Sequence, residues 1–115
     1  MATTRSSYDR ITAQRNTPGP IFKTADYTAK VSDRSIGVTP NSSADVTITL
    51  PAPQEFAKDD FITIWSNGNA TNDVVVAANG AARNSSFGST LTADGDIVTV
   101  GSDGENYIKV YEVAT

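Results

Sequence analysis

Between Ala44 and Leu50, apolar and polar positions alternate strictly. Val46, Ile48 and Leu50 point one way and Thr47 and Thr49 the other. Period-two alternation in β-branched residues predicts a half-buried strand. Pro51 and Pro53 end it, because neither can donate to a ladder. A corner follows to Asp60, with a short helical turn expected around Gln54-Glu55-Phe56 and Phe56 folded inward. Phe61 to Trp65 reads as the next strand, and it is apolar on both faces: Phe61 and Trp65 on one, Ile62 and Ile64 on the other. Such a strand is usually covered on both sides.

The same reading extends in both directions. Ala25 to Ser32 alternates Tyr27, Ala29 and Val31 on one face, Asp33-Arg34 reads as a turn, and Ser35 to Thr39 as a short strand. Beyond the turn-rich segment 66–72, Val74 to Val76 reads as a buried strand. Residues 79–89 read as the loosest part of the body, with Phe87 plugging a gap. Thr90 to Thr92, Ile97 to Val100 and Tyr107 to Val113 complete the set, with Gly101 to Gly104 as the last turn. About seven or eight short strands with polar turns predict an all-β fold, a small β-sandwich or β-barrel. No helical period and no repeat of fixed length stand out. Several strands are apolar on both faces, yet a body of this size supplies one core, so a surplus apolar face is expected to form a subunit interface.

The first twenty residues differ in character. Their apolar residues are sparse, and Pro18-Gly19-Pro20 favours extended backbone. Residues 1–20 therefore read as an extended arm and 21–115 as the body. Residues 1–23 hold Arg5, Arg10, Arg15 and Lys23 against Asp9, a balance of +3, which leaves −7 on the remainder of a chain of net charge −4. A basic arm on an acidic body suggests an acidic partner for the arm, with Tyr8 and Ile11 as apolar anchors. A body this acidic is a poor ligand for phosphates, so no nucleic acid is expected. No stretch is apolar enough to span a bilayer, so no membrane is expected either.

Composition narrows the chemistry. The chain has no cysteine and no histidine. Thiolate sites, Ser-His-Asp and Cys-His arrangements are therefore excluded. Asp59-Asp60 and Asp94-Gly95-Asp96 are the nearest carboxylate pairs, but both fall where turns are expected, and Asp favours turns for its own backbone bonding. The expectation is a non-enzyme with no catalytic residues, no metal and no cofactor. Trp65 reads first as a core or interface residue. A sugar-stacking role, with Tyr27 and the 66–72 and 79–89 loops, is the alternative.

The order of short motifs adds a family likeness. Ala-Asp-Tyr-Thr (25–28) is followed by Val-Thr-Ile-Thr-Leu-Pro (46–51), Phe-Ile-Thr-Ile (61–64), Asn-Asp-Val-Val-Val (72–76), Leu-Thr-Ala-Asp-Gly-Asp (91–96) and Ser-Asp-Gly-Glu-Asn-Tyr (102–107). Across residues 24–113 this resembles the small β-rich domains of tailed-bacteriophage fibre, spike and head-decoration proteins. The resemblance implies a homotrimeric virion protein on the outer capsid surface. A free-standing domain behind a basic arm fits a decoration (cement) protein. Its expected partners are the major capsid protein, through Arg5, Tyr8, Arg10, Ile11 and Arg15, and further copies of itself, through Phe61, Trp65, Tyr107 and Tyr111. A fibre tip binding host-surface glycans, or an unrelated cellular adhesin-like module, is the alternative.

Overall fold

The computed structural model describes residues 19–40, 44–68 and 72–115. They form nine strands: β1 (Ile21–Lys23), β2 (Tyr27–Thr28), β3 (Ser35–Val38), β4 (Val46–Thr49), β5 (Ile62–Ser66), β6 (Val74–Ala77), β7 (Gly88–Leu91), β8 (Ile97–Ser102) and β9 (Tyr107–Val113). Two 3-10 turns, Val31–Asp33 and Pro53–Glu55, are the helical pieces among the described residues. The fold is all-β, with two sheets closing on one core. A five-stranded sheet has the order β1-β3-β5-β8-β9 and a four-stranded sheet the order β2-β4-β6-β7.

The chain reaches that order by winding. The first six strands alternate between the two sheets, and within each sheet they run parallel. Parallel neighbours need a crossover; here the crossover out of one sheet is a strand of the other. Ile36 pairs with Ile64 in one sheet and Ile48 with Val76 in the other, each step spanning 28 residues. The preceding steps, Ile21 to Ile36 and Tyr27 to Ile48, span 15 and 21 residues. Unequal loops thus hide the winding from any search for a fixed repeat. The winding ends in reversal: β7 is antiparallel to β6, β8 to β5 and β9 to β8.

The alternation in β4 holds. Val46, Ile48 and Leu50 are buried, and Thr47 and Thr49 face outward. Ile36, Ile64 and Val98 form one inward row, and with Ile48 and Val76 of the other sheet they belong to one buried core. Phe56 is buried and Phe87 packs against the core.

Three expectations need correcting. Residues 25–32 are not one strand. Only Tyr27–Thr28 pairs, and Asp33 breaks the run by accepting hydrogen bonds from the Lys30 N–H (2.8 Å) and the Tyr27 hydroxyl (2.7 Å). β7 begins two residues earlier than Thr90. Gly101 and Ser102 belong to β8 rather than to the turn, because Gly101 pairs with Ile108 and Ser102 with Tyr107.

Aspartates close the turns. Asp26 accepts the Thr47 N–H and Asp45 the Asp73 N–H, both at 2.8 Å, so one carboxylate bridges each of two neighbouring chain segments. Asp103 accepts the N–H groups of Asn106 (2.8 Å) and Glu105 (3.0 Å), and these bonds, Asn106 first, hold its carboxyl below the ordinary range. Much of the body's negative charge therefore belongs to turns.

Candidate assembly face

The outer surface of the five-stranded sheet is built from rows of paired residues. The registers place Phe22, Gly37, Trp65, Ile97 and Val113 in one line across all five strands. Ser35, Thr63, Thr99 and Tyr111 form the next line, with the Thr63 and Thr99 hydroxyls 3.0 Å apart. Gly101 and Ile108 form a third, with Phe61 lying over Gly101 and Val110 beside it. None of these outward positions carries a charge.

Two glycines set its relief. A Cβ on Gly37 would lie 2.7 Å from Cζ2 of Trp65 and 2.8 Å from Cδ1 of Phe22; one on Gly101 would lie 3.0 Å from the Phe61 ring. The absent side chains let the rings settle onto the backbone. Trp65 and Phe22 meet edge to face, centroids 6.0 Å apart. Trp65 stays half-buried, while Phe22 and Tyr111 are 62% and 56% exposed. Phe61, Ile108, Val110 and Val113 are each more than two-fifths exposed.

A β-bulge explains why β9 contributes so much. Thr99 pairs with Tyr111 but Val100 with Lys109, so Val110 is extra. The extra residue resets the alternation. Lys109 and Glu112 turn toward β7, where Lys109 Nζ donates to the Gly88 carbonyl and Glu112 accepts from the Ser89 hydroxyl. Lys109 and Glu112 also pair at 3.0 Å. Ile108, Val110, Tyr111 and Val113 are left on the outer surface. The Ser89 hydrogen bond, followed by Lys109, holds the Glu112 carboxyl below its usual range.

The residues expected at an interface divide. Phe61, Trp65 and Tyr111 share this face. Tyr107 does not: it is 4% exposed and belongs to the core. Its hydroxyl donates to the Pro51 carbonyl (2.7 Å) and accepts the Asn79 N–H (2.9 Å). The Asn84 side chain brackets its backbone N–H and carbonyl at 3.0 and 3.1 Å. Phe56 and Phe87 pack on its ring. Tyr107 thereby anchors residues 79–89, which sequence alone reads as the loosest part of the body. Phe22, Ile97, Ile108, Val110 and Val113 escaped the sequence reading. For Phe22 the signal was the Ile21-Phe22 pair, apolar on both faces of a strand too short to show alternation. The arm residues Arg5, Tyr8, Arg10, Ile11 and Arg15 lie outside the described residues.

The other candidates resolve into structural roles. Asp60 accepts the Ala57 N–H, Asp94 accepts the Gly68 N–H, and Asp59 sits at positive φ in its turn. Asp96 is buried and accepts from the N–H groups of Thr92, Ala93 and Thr115 and from the Thr115 hydroxyl. These bonds, Thr115 first, hold its carboxyl below the normal range. Among the described residues, no group of three acidic side chains is placed to hold a metal ion. Trp65 and Tyr27 do not converge on one sugar site. Tyr27 lies in the four-stranded sheet, packed against the core with Lys23 over its ring at 4.0 Å.

No helix among the described residues is long and apolar enough to cross a membrane. No family model matches the chain, and no curated protein matches it.

Proposed function

We propose that this chain is a structural virion protein, a homotrimeric capsid decoration (cement) protein that stabilises a tailed-phage head from its outer surface. Its partners are the major capsid protein, reached through the basic arm, and further copies of itself. The observation that carries this reading is the uncharged outer face of the five-stranded sheet. It exposes six large apolar side chains on a body that carries net negative charge. Contiguous apolar patches larger than a few hundred Å² are rare on monomeric domains and mark interaction sites. The motif order across residues 24–113 supplies the virion context, and the charge contrast supplies the division of labour. The arm's arginines suit an acidic shell, and three arms on one trimer multiply a weak single contact.

The test is removal of residues 1–20. The expected product is a folded trimer that no longer binds purified capsids. Capsid binding retained by the truncated protein contradicts the proposed clamp.

A further inference from the structure

We infer that the outer face of the five-stranded sheet is buried against second copies of this chain, head to tail, the Phe22–Trp65 edge of one copy meeting the β9 edge of the next. The inference deepens the trimeric part of the reading above and rests on it.

Charge selects the occupant. Residues 19–115 hold six lysines and arginines against twelve aspartates and glutamates, so two copies repel wherever their charges meet. The outer face is where like-charged copies can approach without that cost. The strand positions on the outer face of the four-stranded sheet are also uncharged, but they present Thr28, Thr47, Thr49 and Thr90 and, among the described residues, no exposed large apolar side chain. Area sets the scale. Six side chains at about half exposure offer on the order of 500 Å², since an aromatic side chain buries roughly 150–250 Å². Trp65, Ile97 and the hydroxyl row extend the face. In a head-to-tail ring each protomer buries one half of it against each neighbour, so each contact is small beside the roughly 800 Å² per partner of a standard interface, and closure of the ring lets both contacts of every protomer add.

Strand order supplies the polarity. Along the row from β1 to β9, the aromatic residues Phe22 and Trp65 come first and the aliphatic residues Ile97 and Val113 follow. Around a three-fold axis the contact is heterologous, so unlike halves meet. The two rings standing on Gly37 then pack against the aliphatic side chains of the neighbour's β9.

The experiment measures the mass of the full-length chain by sedimentation at fixed protomer concentration, without capsids. It compares wild type with F22E, V113K, the double variant F22E/V113K and, on the other sheet, T90K. Phe22, Val113 and Thr90 are exposed, so each single variant is expected to fold, checked by circular dichroism. Wild type and T90K are expected to be trimers of the 12.1 kDa chain. F22E and V113K are each expected to dissociate, with affinity weakened at least about tenfold. The double variant is expected to recover trimer, because opposite charges then face each other across every contact. Trimers in both single variants overturn the face as the interface and leave the virion reading standing. Dissociation of both single variants without rescue overturns the head-to-tail pairing. A monomeric wild type overturns this inference and the trimeric part of the proposed function together.

Discussion

Replacing Tyr107 by Phe removes one oxygen and keeps the ring against Phe56 and Phe87. The Pro51 carbonyl, buried, loses its donor at 2.7 Å. The Asn79 N–H loses its acceptor at 2.9 Å, but Asn79 is only half-buried, so water can replace part of that bond. A buried polar group left unpaired costs about 1–3 kcal/mol. With the full cost at Pro51 and a partial one at Asn79, the expected loss is about 2–3 kcal/mol. For a body of this size that lowers Tm by roughly 10–20 °C, at about 4–8 °C per kcal/mol. Urea denaturation followed by circular dichroism at fixed protomer concentration measures it; the midpoint should fall with the slope unchanged. A loss below about 0.5 kcal/mol, within the range of ordinary surface substitutions, refutes the bracing role. Dissociation of the proposed trimer with the fold's stability intact would return Tyr107 to the interface, where sequence alone places it.

Ile64→Ala should cost about 2–5 kcal/mol by emptying the centre of the inward row, read as a shifted denaturation midpoint. Gly37→Ala places a Cβ where the Trp65 and Phe22 rings lie; we expect a changed Trp65 emission spectrum and, if the proposed trimer uses this face, weaker association by sedimentation. Acid should destabilise the fold. The carboxyls of Asp96, Asp103 and Glu112 lie below their ordinary values, so their contribution is complete above the unfolded carboxylate pKa. It is lost as pH falls through the folded values. Asp96→Asn should therefore lower stability at neutral pH and flatten the acid limb of a stability–pH profile measured by urea melts.

The residues most legible in sequence were those whose side chains alternate between core and solvent. Val46, Ile48 and Leu50, and the Ile62/Ile64 against Phe61/Trp65 split, follow from β-branched and aromatic residues at period two. The parallel winding was not legible, because strand partners are chosen by contacts 15 to 28 residues apart, and the loops between them differ in length. β9 misled for a local reason. Its alternation puts Tyr107, Lys109, Tyr111 and Val113 on one face, and one bulged residue at Val110 splits that set. Tyr107 then falls in the core and Tyr111 on the surface. Nothing in the residue types announces a bulge there. The surplus apolar face was legible as a surplus, but its composition depended on that bulge and on Phe22.

The most direct measurement is the copy number of this chain in purified virions, by quantitative mass spectrometry against the major capsid protein. A decoration protein predicts a copy number that scales with the capsid shell. A few trimers per particle would contradict decoration and point to a fibre or tail tip. Absence from particles would contradict the virion assignment itself.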